Sequence, residues 1–443
     1  MITEAQLEAS LLDWLGDLGW EPGTGTELEP QRASLGDLVL TEDLVEALRL
    51  LNPSVPDQYL REAAADMVRV RSQDALAENR DFHVLLVHGY RGLSYVDADG
   101  REQTLTIRLL GAPEQNRYRA AQQVRLLRGD QSRRLDVVLY VNGLPLVVVE
   151  LKQAGTRNAT IAKAHAQLGT YLAEFPAAFR PVVAAIISDG INARYGTPFT
   201  RLNHYSPWNV DEDGAPSPAD SDQLLELENL AHGLLEPARL LDVVRNFTAF
   251  DETDEGLTKR IAKPHQYFAV RKALDSTLAA LGTNGKAGVV WHTQGSGKSM
   301  EMELYTNLVL THPRMQNPTI VVITDRNELD GQLYGTFARS TLLPDEPRQI
   351  KRRSQLRSEL AGRASGGIYF TTLQKFSRTA AEHDAGHAHP LLTDRRNVVV
   401  IVDEAHRSHY DDLDGYARHL RDALPNATLI AFTGTPISEV WLA

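Results

Sequence analysis

Three polar residues, Asp136, Glu150 and Lys152, interrupt the otherwise apolar stretch 135–152. Charge buried in such a stretch is costly unless it is paired or metal-bound. Two carboxylates can hold a magnesium ion, and a lysine beside them can orient or activate the water that attacks phosphorus. Apolar runs flank Asn142-Gly143, so the stretch reads as a hairpin. Strand side chains alternate, so Glu150 and Lys152 share one face while Leu151 points to the other. Register decides whether Asp136 joins them. A two-residue turn on Asn142-Gly143 pairs Asp136 with Val149 and leaves the two carboxylates on opposite faces. A shared ion therefore predicts an odd loop, such as a three-residue turn with Gly143 left-handed.

A second constellation begins where Thr293-Gln294-Gly295-Ser296-Gly297-Lys298-Ser299 follows the apolar run Gly288-Val289-Val290-Trp291. Further on, the run 397–402 delivers Asp403-Glu404-Ala405-His406. A glycine-rich turn between strand and helix lets backbone N–H groups of Gly295, Ser296 and Gly297 face phosphates. Lys298 is placed to reach the β- and γ-phosphates and Ser299 to sit on magnesium. Asp403 would hold the same ion, and Glu404 would polarise the attacking water. His292 stands where the usual eight-residue loop begins with glycine. The chemistry is the gripping of a nucleoside triphosphate.

The elements that must position these groups follow from periodicity. Leu7, Leu11, Leu12, Leu15 and Leu18 make a helical stripe over residues 3–18. Segments 84–88, 104–110, 122–127, 135–141, 145–151 and 181–187 are predicted strands with helices between. Residues 206–222, rich in Asp, Pro, Ser and Gly, read as an exposed loop or linker, and 223–250 as helical. From Lys259, short β-rich runs at 287–291, 319–323, 367–371, 397–402 and 427–432 alternate with helical segments, the mark of a parallel sheet. The expected division is 1–222, a helical connector over 223–258, and 259–443.

Composition bounds the rest. The chain has 443 residues, 42% of them apolar, without a bilayer-length apolar run, so a soluble, cytoplasmic protein is expected. The absence of cysteine excludes disulfides and thiolate metal sites. A net charge of −12 argues mildly against nucleic acid. Local clusters qualify that: Arg125, Arg128, Arg133 and Arg134, and Lys351, Arg352, Arg353 and Arg357, are either phosphate-binding patches or solvated surface. His383, His387 and His389 invite a zinc reading, but their loop offers no frame for one.

Asp136 followed by Glu150-Leu151-Lys152 resembles the metal-dependent nuclease fold of many restriction enzymes. Gln167 and Tyr171, four apart on the following helix and so on one face, resemble the RecB-like branch of that fold. The resemblance implies an acidic residue on the first helix as a further metal ligand; Glu8 is the choice, with Glu4 close. The second half resembles superfamily 2 helicases. Asp403-Glu404-Ala405-His406 is similar to their second motif, and Phe432-Thr433-Gly434-Thr435-Pro436 to the motif coupling ATP state to strand movement. His265-Gln266-Tyr267 resembles the upstream glutamine motif, which implies that Gln266 reads adenine. Segments 324–330 and 371–376 resemble segments that contact the DNA backbone.

Together with Asn142 to Leu146 and Ser188 to Gly196, this motif order resembles the amino-terminal part of the restriction (motor) subunit of type I restriction-modification enzymes. The resemblance implies an α/β chain: a restriction-endonuclease-like domain with a mixed sheet, then a RecA-like parallel-sheet lobe. It also implies an endonuclease and ATP-dependent translocase of double-stranded DNA, using Mg2+ and ATP and joined to methyltransferase and specificity subunits. The chain is expected to be a fragment, since a second motor lobe would follow Ala443. A free-standing magnesium nuclease regulated by ATP, and a non-enzymatic DNA-binding or assembly module, are the competing expectations.

Overall fold

The computed structural model describes residues 3–96, 99–153, 160–216, 225–293, 295–324, 331–403 and 414–434. The chain divides into two compact units, Met1–Pro264 and His265–Ala443.

The first unit is built on six strands: β1 (Glu21–Thr24), β2 (Tyr118–Arg128), β3 (Gln131–Val141), β4 (Leu144–Leu151), β5 (Ala184–Ser188) and β6 (Ala193–Gly196), adjacent in that order. The sheet is mixed. β1 and β2 are parallel, as are β4 and β5; the remaining neighbours are antiparallel. A parallel pair needs a crossover, and helix α2 (Ile161–Glu174) lies in the connection between β4 and β5. Every residue of β4 is buried, which explains its nearly unbroken apolar run. Helix α1 (Glu4–Asp17) starts at a Thr3–Gln6 capping box and buries Leu7, Leu11, Leu12 and Leu15. Leu168 and Tyr171 of α2 join Val138, Val148 and Ile187 in one core.

Four expectations about elements of this unit need correction. Residues 84–88 form the end of a helix, Ala75–His88, not a strand. A short apolar run suits either state, and here an Asp74 cap, a left-handed Gly89 and buried Asn79, Phe82, His83 and Leu86 at helical spacing decide it. In 104–110, only Thr104 belongs to a strand (Glu102–Thr104), with an isolated bridge at Ile107. Residues 206–216 are not simply exposed, because Trp208 is buried beside Tyr195. The helical reading of 223–250 stops early: helices Leu225–Leu234 and Pro237–Asn246 give way to a hairpin, Thr248–Thr253 with Gly256–Ile261.

The turn between β3 and β4 is a regular two-residue one, correcting the expected odd loop. Val141 pairs with Leu144, and Asn142 and Gly143 both have positive φ, 54° and 76°. A β-carbon on Gly143 would stand 2.5 Å from the Leu40 carbonyl oxygen and 2.7 Å from the Leu44 nitrogen. Gly143→Ala is therefore expected to destabilise the chain by about 2 kcal/mol or more, measured by urea unfolding.

The second unit holds β7 (Lys286–Trp291), β8 (Thr319–Ile323), β9 (Pro347–Gln349), β10 (Ile368–Thr371), β11 (Val398–Asp403) and β12 (Thr428–Thr433). Their order is β7-β12-β11-β8-β10-β9, with every neighbouring pair parallel. Parallel strands bring their carboxyl ends to one edge, so Trp291, Ile323, Thr371, Asp403 and Thr433 all lie there.

Candidate functional site

In the first unit the two carboxylates meet, by a route the turn does not predict. Beyond Tyr140↔Pro145 the ladder shifts, so that Leu139 pairs with Val147, Val138 with Val148 and Val137 with Val149. One extra residue, Leu146, is accommodated on β4, a β-bulge. The shifted register puts Asp136 across from Glu150, on one face, despite the two-residue turn.

Glu150 is fully buried and forms an ion pair with Lys152. Its Oε2 has no hydrogen-bond partner among the described residues. Burial, then the charge of Asp136, pushes its carboxyl up to about 8 against the pull of Lys152. Asp136 accepts a hydrogen bond from the Leu151 amide at 2.7 Å, and burial raises its pKa too. The Lys152 ammonium also donates to the Leu151 carbonyl at 3.0 Å. A buried carboxylate oxygen with nothing to accept from, beside a second carboxylate, suits a cation.

The flanking residues arrive as follows. Gln167 donates to the Tyr171 hydroxyl, which donates to the Arg134 carbonyl at 3.2 Å. Burial, then Glu150, raises Tyr171 to about 12, so the phenol stays a donor. Glu8 and Glu4 line the same cleft of about 750 Å³ as Asp136 and Arg134. Glu8 accepts from Gln123 at 2.6 Å, and burial, with the charge of Asp136 adding, raises its pKa. Glu4 instead accepts from the Gln153 amide at 3.2 Å. Among the described residues no three His, Cys, Asp or Glu side chains cluster closely enough to cage a metal, so Glu8 does not complete a three-carboxylate set as it stands. The same holds for His383, His387 and His389; His389 bonds the Pro390 carbonyl and stacks on His419.

Gln123 is the residue that spacing could not reveal. It sits inside β2 with φ of 57°, unusual for a non-glycine residue, and its amide meets Glu8. No pattern in the sequence marks that kink.

In the second unit, β7 runs into the glycine turn and then helix α4 (Lys298–Thr311). Gly295 (φ 87°) and Gly297 (φ 95°) are left-handed, and Gly297 caps α4. Lys298 and Ser299 open α4, where orphan N–H groups and the helix dipole favour an anion. Helix α3 (Pro264–Ala280) lays Gln266 on this turn: its amide donates to the Ser296 carbonyl at 3.0 Å. The His292 amide donates to the Thr433 carbonyl at 3.2 Å, tying the turn to the end of β12. Asp403 ends β11 and pairs with Phe432. Gln294, Glu404, His406, Thr435 and Pro436 lie outside the described residues, as do 325–330.

The basic clusters are partly spent on structure. Arg125 pairs with Glu29 at 3.1 Å, Arg133 with Glu174 at 2.7 Å, and Arg357 binds both oxygens of Glu382. Among the described residues, no helix is long and apolar enough to cross a membrane.

Comparison with known proteins gives two family matches, one within each compact unit. Residues 1–204 match the family described as type I restriction enzyme R protein N terminus, and residues 265–440 match the SWI2/SNF2 ATPase family. The HindI type I restriction enzyme endonuclease subunit of Haemophilus influenzae is 40% identical over 99% of this chain and 43% of its own length. Two putative type I restriction enzyme endonuclease subunits of Methanocaldococcus jannaschii, MjaIXP and MjaVIIIP, are 29% and 24% identical over 97% and 99% of the chain. The chain covers 42% of each of those two, so it spans about two-fifths of the curated relatives it matches.

Proposed function

Because the chain belongs to the type I restriction enzyme R proteins over residues 1–204 and to the SWI2/SNF2 ATPases over residues 265–440, we propose that it acts as the endonuclease and DNA-translocating subunit of a type I restriction-modification system. In this reading residues 1–222 cut double-stranded DNA, 223–258 connect, and 259–443 form a RecA-like lobe that binds ATP with Mg2+. Methyltransferase and specificity subunits are the partners, in the cytoplasm.

The observation that carries the nuclease reading is the bulge at Leu146, which sets Asp136 across from Glu150, the ion-pair partner of Lys152. Asp136 and Glu150 would hold the divalent ion, with Glu8 or Glu4 as the further acidic group lining the cleft. When bound, magnesium supplies Lewis-acid activation of the scissile phosphate and lowers the pKa of water. Lys152, held at Glu150, orients the attacking water. Tyr171 and Gln167 fix the face of α2 toward the carboxylates, and the phenol remains a proton donor. In the second unit the turn of Gly295, Ser296 and Gly297 cradles phosphates, with Lys298 as the cation. Ser299 and Asp403 would hold the magnesium, Glu404 would activate water, and Gln266 and His406 would complete the nucleotide contacts.

The test is cleavage of supercoiled plasmid by this chain with Mg2+ and no ATP, beside Asp136→Ala. Cleavage by the wild type that disappears in the variant, and in EDTA, is the expected result. Undiminished cleavage by Asp136→Ala would refute the shared-ion site.

A further inference from the structure

His292 occupies the place where phosphate-binding turns usually start with glycine, and its side chain must go somewhere. It turns back onto the helix that the turn feeds. Its Nδ1 lies 2.6 Å from Oε1 of Glu301, in the first turn of α4. Glu301 is fully buried, and its Oε2 has no hydrogen-bond partner among the described residues. A second imidazole, His265 of α3, meets His292 edge-to-face with ring centroids 5.2 Å apart, and its Nε2 is 3.2 Å from the Ser296 carbonyl oxygen.

A buried carboxylate in the first turn of α4 raises an electrostatic problem. The helix N-terminus favours one negative charge there, and Glu301 lies beneath the turn that would receive a highly charged phosphate chain. Two anions sharing one positive helix end repel each other, and burial strengthens the repulsion by removing the water that would screen it. His292 is the basic group in contact with Glu301 among the described residues.

We propose that His292 is a positioning residue of the nucleotide site: paired to Glu301, it cancels the buried negative charge under the phosphate turn and so permits ATP to bind. The proposal rests on the nucleotide-binding reading of Lys298 and extends it to a residue that contacts no phosphate in that reading. The hydrogen bond to Glu301 raises the pKa of His292 above the ordinary histidine value, which favours the cationic form. The His292 amide, bonded to Thr433, meanwhile holds the backbone of the turn to β12 independently of the side chain.

Charge cancellation makes a prediction that a packing role does not. Affinity for a fluorescent ATP analogue, titrated into the chain with MgCl2, should fall about tenfold in His292→Ala, the scale of one poorly screened like charge near the ligand. Glu301→Gln should bind at least as well as the wild type. The double variant should return to within about threefold of wild type, because the charge needing cancellation is gone. Wild-type affinity in His292→Ala, or a double variant no better than that single one, would overturn the proposal. His292→Gln serves if the alanine variant does not fold, with folding checked by thermal melting. Lys298→Ala separates the two ideas: analogue binding insensitive to this change defeats the nucleotide site itself, while loss there with no response at His292 defeats only the charge-cancelling role.

Discussion

Replacing Glu150 with glutamine is expected to lower magnesium-dependent DNA cleavage by a factor of roughly 1,000 or more, the scale on which loss of a metal ligand removes the activated water. The same substitution should stabilise the metal-free chain at high pH. Glu150 titrates at about 8, raised from 4.5, because it is buried beside Asp136. A carboxyl whose pKa is raised on folding costs no stability below its unfolded value. The cost appears as pH climbs above 4.5 and is complete above 8. Glutamine carries no such charge, so in EDTA the variant should be more stable than the wild type, and melt higher, by a free-energy increment that grows across that window to the order of a few kcal/mol. In the wild type a cation must displace the proton, so magnesium affinity should rise from pH 6 to about 8 and level off beyond. Melting curves across pH with and without Mg2+, alongside plasmid cleavage, read both effects. Cleavage that survives in Glu150→Gln would remove this carboxylate from the site.

Lys298→Ala should weaken ATP by roughly 10- to 100-fold, since a charged hydrogen bond to phosphate contributes about 1.5–3 kcal/mol. Lys298 is the first residue of α4, so alanine there should leave the helix intact. Asp136, Glu150 and Lys152, the proposed nuclease site, belong to the other compact unit. ATP-independent nicking should therefore persist in Lys298→Ala, while any ATP-dependent component of cleavage is lost. This distinguishes a nuclease driven by ATP from a free-standing one. Cleavage with the same ATP dependence as the wild type would show that the nucleotide site plays no part in cutting.

Much of this architecture was legible in local pattern. The runs at 287–291, 319–323, 367–371, 397–402 and 427–432 each fall on a strand of the parallel sheet; the inner strands are covered on both faces and need unbroken apolar residues, whereas the edge strand β7 leaves Val289 and Trp291 exposed. The stripe Leu7-Leu11-Leu15 marked α1 for the same reason of burial. Gln167 and Tyr171 share a face because helical geometry puts them there whatever surrounds them. Residues 84–88 were illegible, since four apolar residues in a row satisfy either period until their neighbours are known.

The sequence by itself determined which chemistry was available: two carboxylates and a lysine in apolar strands, and a glycine turn delivering Lys298 and Ser299 to a helix start. Residue types and short spacings carry that information because they act within one element. Tertiary structure alone decided whether the groups meet. The Asn142-Gly143 dipeptide implied a hairpin, but the odd loop expected from a shared ion was wrong: the turn has two residues, which by itself separates Asp136 from Glu150, and the bulge at Leu146 reverses that outcome. In the run Leu144 to Leu151 only Pro145, which has no N–H for the ladder of a central strand, hints at a bulge; the apolar residues after it do not say which of them is extra. The kink at Gln123 and the pairing of His292 with Glu301 belong to the same class. Their cause is contact between elements, the Gln123 amide meeting Glu8 across 115 residues and His292 folding back on Glu301 nine residues on, where the propensity of a single element is silent.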